Sequence, residues 1–210
     1  ITLIEKSKGK DANAFQIMTT NMLNYAASSK IMGMDKLLVL LAEKYYFTDQ
    51  VTWADSTLLA NLRSEVRKNK YNLLGSQAHN LRLEDEQSKV TYLYEYQSPM
   101  TLLFFFEPSC GHCKETTPKL MNVYNKYKDK GFKVIAFYTQ TDQKEWTEFM
   151  EKYQLKEWVN VWDPKRESYY WYFFDTSTTP SVYLLDKDKK IIAKKIDMST
   201  LDMILQHELK

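Results

Sequence analysis

The chain has 210 residues, of which 44% are hydrophobic and 14% aromatic, and its formal net charge is +2. This composition is typical of a globular protein and excludes a linker-rich or low-complexity chain. Lys alternates with Glu and Asp without forming a basic face or stripe, so nucleic acid is not expected as a partner. No apolar run approaches the ~20 residues that span a bilayer.

Residues 1–71 predict a small all-α domain. Apolar side chains recur at helical spacing over residues 14–27, 34–47 and 52–70. Asp55 or Ser56 is expected to cap the third of these helices. The Met and Leu stripes of these segments are typical of a core rather than of cofactor contacts. No motif assigns this domain a role, which therefore stays open.

Residues 72–210 predict an α/β domain. A continuous apolar run at 101–106 is typical of a strand buried on both faces. The other predicted elements are strands 81–83 and 90–94 around a polar turn 84–89, helix 114–127, strand 132–138, helix 144–153, strand 158–162, a hairpin of 181–185 and 190–196, and helix 199–208. This order predicts a mixed sheet with helices on both faces.

The two cysteines of the chain, Cys110 and Cys113, follow the buried strand and open a predicted helix. At a helix N-terminus the free N–H groups and the helix dipole lower a thiol pKa, so Cys110 is expected to attack as a thiolate. Cys113 lies one turn further on and can resolve the mixed disulfide. Gly111 permits close approach, and His112 can donate charge or a hydrogen bond to the Cys110 thiolate. The disulfide of this pair is then the redox group, and no other cofactor is expected.

Two other interpretations of the pair are weaker. A Cys-x-x-Cys pair can form half of a zinc site, but a structural zinc ion normally needs four ligands. Beyond the pair only His79, His112 and His207 remain as soft ligands, so no metal site is expected. An inert pair of buried thiols is disfavoured because Ser109 and Lys114 make the local setting polar.

The segment FFFEPSCGHCK at residues 104–114 resembles a thioredoxin active site. Pro118 matches the proline of the active-site helix, and Thr179-Pro180 matches the threonine and cis-proline that precede a family strand. Residues 72–210 resemble the TlpA/ResA branch of the thioredoxin superfamily, which implies thiol–disulfide oxidoreductase activity. The resemblance also implies that Pro180 is cis beside the Cys pair, and that Thr179, Pro180 and Gly111 contact the substrate chain.

The TlpA/ResA resemblance further implies an extracytoplasmic location, in the periplasm or cell envelope. The expected partners are disulfide-bearing protein substrates and an upstream thiol–disulfide electron donor, with a membrane tether outside this chain. The chain begins with Ile1 rather than Met, which indicates either a removed leader or a trimmed sequence, and both alternatives stay open. The direction of electron flow stays open. Gly111-His112 is the dipeptide of protein disulfide isomerases, whereas the TlpA/ResA resemblance favours reduction.

The chain departs from the family at the position of the acid that deprotonates the second cysteine. Phe104 stands where thioredoxin has a buried acid, and Thr116 stands where ResA-like proteins have a Glu. Glu115, Glu107 and water therefore remain alternative proton acceptors for Cys113.

Two further functions compete with disulfide exchange. A thiol peroxidase needs a Pro-x-x-x-Thr/Ser-x-x-Cys motif, which is absent because Pro108 lies only two residues before Cys110. A partner-binding module would use the helical domain, with the redox pair ancillary. The aromatic run at 169–174, interpreted as a strand, would show aromatic rings on both faces. It predicts either packing or an apolar platform for a partner protein.

Overall fold

The computed structural model describes residues 1–8 and 11–210. Within them, the first unit, Ile1–Leu73, contains four α-helices. Asp11 caps the second of them by accepting from the Asn13 N–H, and Asp55 caps the fourth by accepting from the Leu58 N–H. The helices are α1 (Thr2–Lys8), α2 (Ala12–Ser28), α3 (Met34–Leu41) and α4 (Ser56–Asn69).

The first unit differs from the prediction in two places. Helix α1 was not predicted, and it buries Ile4 completely. The predicted helix at 34–47 changes after Leu41 into a π-helical turn, Ala42–Tyr46. This turn buries the consecutive tyrosines Tyr45 and Tyr46. The periodicity of apolar residues does not distinguish the two kinds of helical turn.

A seven-stranded mixed sheet organises the second unit, Leu74–Lys210, in the order β2-β1-β5-β4-β3-β6-β7. Strands β3, β4 and β5 are parallel, whereas β6, β7, β1 and β2 join antiparallel at the two sides. This arrangement confirms the predicted mixed α/β sheet. The strands are β1 (Arg82–Glu84), β2 (Val90–Tyr92), β3 (Met100–Phe106), β4 (Phe132–Tyr138), β5 (Val159–Trp162), β6 (Ser181–Leu185) and β7 (Ile191–Lys194).

Strand β3 is the centre of two apolar cores, and all seven of its residues are buried. Leu102, Phe104 and Phe106 belong to one core, which packs against α5 (Gly111–Tyr127), α6 (Gln143–Lys152) and α8 (Met198–Glu208). Leu103 and Phe105 belong to the core on the other face, under α7 (Tyr170–Phe173). Successive side chains of a strand point to opposite faces, so one apolar run supplies both cores.

The strand interpretation of the aromatic run at 169–174 is wrong, because residues 170–173 form the single helical turn α7, with Tyr169 and Phe174 at its two ends. Residues four apart share a helix face, so Tyr170 and Phe174 both pack on Phe105, at ring-centroid distances of 5.8 and 5.3 Å. Tyr169 and Trp171 stay exposed. Burial on one side therefore selects a helical turn over a strand.

The predicted turn at 84–89 and the predicted strand at 90–94 have slightly different bounds in the structure. Glu84 lies in β1, opposite Trp162, rather than in the turn. Strand β2 ends at Tyr92, and the 3₁₀ turn Leu93–Glu95 follows and buries Leu93.

A buried lysine in the second unit is expected to reduce stability. Lys189 is 3% exposed, and its Nζ donates to Thr101 Oγ1 at 3.0 Å. Burial, helped by repulsion from Lys133, lowers the pKa of Lys189, against the attraction of Asp186. The folded state thus disfavours the charged form, and this penalty is present at neutral pH and disappears as the pH rises toward the ordinary lysine value.

Lys189→Met is therefore expected to raise the free energy of unfolding at pH 7 by about 1 kcal/mol, because it removes a charge whose burial the attraction of Asp186 offsets only in part. Urea unfolding at pH 7 and at alkaline pH measures the effect, and the advantage over the wild type should shrink at the higher pH. The exposed Lys187→Met is the matched control. A variant that is less stable than the wild type at both pH values would show that the ammonium stabilises the fold.

Candidate active site

The Cys pair lies where β3 ends and α5 begins. The loop after Phe106 turns back on itself, with the Cys110 N–H donating to the Glu107 carbonyl at 3.2 Å. Cys110 is the N-cap residue of α5, and its Sγ accepts from the Cys113 N–H at 3.4 Å. A cap position holds the sulfur against the free N–H groups of the first helical turn, where negative charge is stabilised.

The two thiols have opposite acidities. Partial burial by itself would raise the pKa of Cys110, but hydrogen bonding with Thr179 and from the backbone N–H groups of Cys113 and His112 outweighs it and lowers the pKa. Cys113 is completely buried, and burial raises its pKa to about 12 against smaller opposing hydrogen bonds with Glu107 and Thr179. The partly exposed Cys110 is therefore the more acidic of the two thiols, and Cys113 keeps its proton at neutral pH.

Thr179 and Pro180 stand beside the Cys pair because of the register of β6 on β3. Ser181 pairs with Phe105 near the end of β3, so the residues before Ser181 lie next to the loop that carries the cysteines. The Thr179–Pro180 peptide bond is cis, as the family resemblance implies. The Cys110 thiol donates to the Thr179 carbonyl at 3.1 Å.

Glu107 connects three segments at this edge of the sheet. Its Oε1 accepts from Thr179 Oγ1 at 2.8 Å, and its Oε2 accepts from Gln140 Nε2 at 3.0 Å. Gln140 comes soon after β4, which is parallel to β3 with Phe106 opposite Tyr138. The carboxyl ends of adjacent parallel strands meet at one edge, a signal that could have placed Gln140 beside Glu107 from the sequence. The contact with Thr179 had no local signal.

His112 and Gly111 are placed differently from the expectation. The His112 side chain is 83% exposed, and its Nδ1 lies 3.8 Å from Glu115 Oε2. The backbone N–H of His112, not the ring, interacts with the Cys110 sulfur. At Gly111, an added Cβ would meet no atom within 4 Å, so the expected close approach could involve only a bound substrate and stays a prediction.

A cleft of about 410 Å³ opens on the Pro180 side of the site. Lys195 at its wall forms an ion pair with Asp175 at 2.6 Å. The lining of the cleft includes Thr116, Lys119, Pro180, Val182, Lys195 and Met198.

Residues 1–8 and 11–210 contain no group of three or more His, Cys, Asp or Glu side chains arranged to hold a metal ion. Across the same ranges, no helix combines the length and apolar character that crossing a membrane requires.

Several known proteins resemble this chain. The thiol–disulfide oxidoreductase ResA of Bacillus cereus is 25% identical over 131 residues, which cover 62% of this chain and 74% of ResA. A solved domain of a "possible thiol-disulfide isomerase" from Cytophaga hutchinsonii is 39% identical, with a TM-score of 0.60, over 65% of this chain and 93% of that domain.

A thioredoxin-like protein from Bacteroides caccae resembles nearly the whole chain. The matched region covers 98% of this chain and 74% of the Bacteroides caccae protein, with a TM-score of 0.74 and 20% identity. This similarity concerns the fold, including the helical segment before the sheet.

The AhpC/TSA family model matches residues 74–194, more than half of the chain. The match includes the Cys pair, the cis-proline and all but the last helix of the sheet domain. The chain belongs to the thioredoxin-like AhpC/TSA family and is a thiol–disulfide oxidoreductase.

Proposed function

We propose that this protein reduces or exchanges disulfides in extracytoplasmic proteins, with Cys110 as the attacking thiolate and Cys113 as the resolving thiol. The observation that carries the proposal is the placement of the two thiols: Cys110 is the partly exposed N-cap residue of α5, and Cys113, one turn further on, is completely buried. The pKa of Cys110 is lowered at the helix cap, while burial raises that of Cys113 to about 12. One thiol is ready to attack, and the other is protected until a mixed disulfide lies beside it.

The substrate is proposed to bind as an extended chain beside Thr179 and Pro180. The Thr179 carbonyl already accepts a hydrogen bond from Cys110, so a chain joined to that sulfur would pass this backbone. The adjoining cleft can take the residues next to the substrate cysteine. Gly111, exposed at the helix start, offers no side chain to block that approach.

The redox cycle needs partners outside this chain. We propose that the Cys110–Cys113 disulfide is the redox group, with no other cofactor, and that an upstream thiol–disulfide donor returns it to the dithiol. The resemblance to the TlpA/ResA branch supports a location in the periplasm or cell envelope and a tether outside the described chain. The same resemblance favours reduction as the direction.

Disulfide isomerisation is the second candidate. The relative from Cytophaga hutchinsonii carries the words "possible thiol-disulfide isomerase", and the dipeptide Gly111-His112 is the one isomerases use. A stabilised thiolate favours the reduced form and makes the disulfide more oxidising. Membership in the AhpC/TSA family does not by itself favour a peroxidase, because the chain lacks the peroxidatic motif before Cys110.

The reduction potential of the pair distinguishes the two candidates. The purified protein is equilibrated in graded glutathione or dithiothreitol buffers, and the state of the cysteines is determined by alkylation and mass. We expect a value closer to that of thioredoxin, about −270 mV, than to that of protein disulfide isomerase, about −180 mV. Cys113→Ser, which cannot form the internal disulfide, is the control. A pair that never oxidises would overturn the redox function.

A further inference from the structure

The segment that carries Thr179 and Pro180 forms neither a helix nor a strand over residues 175–180. Its tip lies beside the thiols, because the Thr179 carbonyl accepts from Cys110 at 3.1 Å and the Thr179 hydroxyl donates to Glu107 at 2.8 Å. Outside helices and strands, side chains take over the pairing of backbone groups that keeps a segment ordered. The contacts that hold the base of this segment therefore decide where Thr179 lies.

Asp175 ties the base of the segment to strand β6. Its carbonyl accepts from Ser181 Oγ at 2.7 Å, and its N–H donates to Tyr183 Oη at 2.8 Å. All three residues are buried, Asp175 with 8% of its surface exposed. The bond between Asp175 and Ser181 closes the chain into a loop, and Thr179 and Pro180 are among the residues that this loop contains.

The carboxylate of Asp175 makes further contacts. Its Oδ1 accepts from the hydroxyl and the N–H of Ser177, at 2.6 and 3.3 Å, and its Oδ2 pairs with Lys195 Nζ at 2.6 Å. Burial by itself would raise the pKa of Asp175, but the ion pair and the Ser177 hydrogen bonds outweigh it and lower the pKa. The group is therefore charged at neutral pH, and it links the loop, close before Thr179, to Lys195.

Lys195 is itself fixed to the sheet. It follows β7 directly, and its N–H donates to the Val182 carbonyl of β6 at 3.0 Å. Its backbone is left-handed, with a φ of 53°, a conformation that a residue other than glycine keeps only where the surrounding structure enforces it. Lys195 also lines the cleft on the Pro180 side. The ion pair thus joins the loop to a fixed anchor beside that cleft.

We propose that Asp175 and Lys195 are positioning residues that hold Thr179 and Pro180 ready to receive the substrate chain. This inference rests on the proposed function, in which the substrate lies as an extended chain beside these two residues. A backbone that is already held in its binding conformation loses less conformational freedom when the substrate arrives. Asp175 acts through the loop that it anchors, so the ion pair contributes to substrate affinity rather than to the chemistry of the thiols.

Asp175→Asn tests this role with little change in size. The variant keeps a side-chain oxygen for Ser177 but loses the charge that pairs with Lys195. The Lys195 side chain is 51% exposed, so its ammonium group can return to water and the fold is expected to persist. Thermal unfolding checks this. If Asp175→Asn does not fold, Lys195→Met, which removes the other partner of the pair, replaces it in the same experiment.

The experiment compares a protein disulfide with a small one. The reduced full-length protein is mixed with excess insulin at graded concentrations, and oxidation of Cys110 and Cys113 is followed by acid quenching, alkylation and mass. In Asp175→Asn we expect the half-saturating insulin concentration to rise about 3- to 10-fold, with the limiting rate within about twofold of the wild type.

A small aromatic disulfide has no flanking chain to dock, so its rate in Asp175→Asn should stay within about twofold of the wild type. A small rise in the pKa of Cys110, through a looser contact with Thr179, has little net effect on this rate. The thiolate fraction then falls while the nucleophilicity of the thiolate increases, and the two changes partly cancel.

Three further variants define the role of the ion pair. Lys195→Met should raise the half-saturating insulin concentration as Asp175→Asn does, whereas Lys195→Arg keeps a cation opposite Asp175 and should lie close to the wild type. Asp202→Asn is the matched control, because it removes the carboxylate of another ion pair, with Lys126 at 2.8 Å, that joins α8 to α5. It should change neither substrate's kinetics.

Two results would overturn the positioning role. One is an unchanged half-saturating insulin concentration in Asp175→Asn. The other is an equal slowing with insulin and with the small disulfide, which a general structural defect would cause. The proposed function fails separately, if the wild type reacts with the small disulfide but does not reduce insulin.

Discussion

The Cys110→Ser variant is expected to lose catalysed reduction of insulin disulfides, by about 10³-fold or more, as is usual when a nucleophile is removed. A serine hydroxyl at the cap of α5 does not ionise near neutral pH, whereas the pKa of the Cys110 thiol is lowered there. Turbidity of the precipitating insulin chains, with dithiothreitol as the reductant, measures the rate.

Cys113→Ser is the matched control for this result. It keeps the attacking thiol at the exposed end of the pair and removes the buried one, so we expect a mixed disulfide with the substrate that persists and is visible by mass. Equal rates for Cys110→Ser and the wild type would contradict the proposed mechanism. A partner captured equally by both serine variants, with no change in redox activity, would support the partner-binding module instead.

The second large effect concerns the core on the α7 face of the sheet. Phe105→Ala is expected to lower the free energy of unfolding by about 3–5 kcal/mol, because it leaves a cavity among packed rings. Phe105 is completely buried, and its ring lies within about 6 Å of four other aromatic rings. Those rings belong to Phe137, Tyr170, Phe174 and Tyr183.

Denaturant unfolding followed by tryptophan fluorescence measures this loss, since four of the five tryptophans lie after residue 73. The control is Tyr169→Ala, which removes an aromatic ring that is 59% exposed and should change stability by less than about 0.5 kcal/mol. A similar loss in both variants would show that the exposed ring also contributes to the fold. Because Phe105 pairs with Ser181, the destabilised variant is also expected to loosen the Thr179–Pro180 segment.

The sheet domain was largely predictable because its signals are local. The apolar run before Cys110 required a strand buried on both faces, and the residues that follow have the spacing of a helix with a capped start. The positions of the elements, the mixed sheet and the thiol chemistry follow from such patterns within a few neighbouring residues. The turn α7 was missed because the consecutive aromatic residues do not show which of their faces will be buried.

The sequence by itself determined that two thiols one helical turn apart open a helix, since a cap and a motif are set by adjacent residues. The tertiary structure decided the surroundings that make those thiols differ further. Burial in the sheet core raises the pKa of Cys113, and the cap together with Thr179 lowers that of Cys110. It also joined Glu107 to Thr179 across 72 residues of chain, because only the pairing of β6 with β3 brings the two segments together.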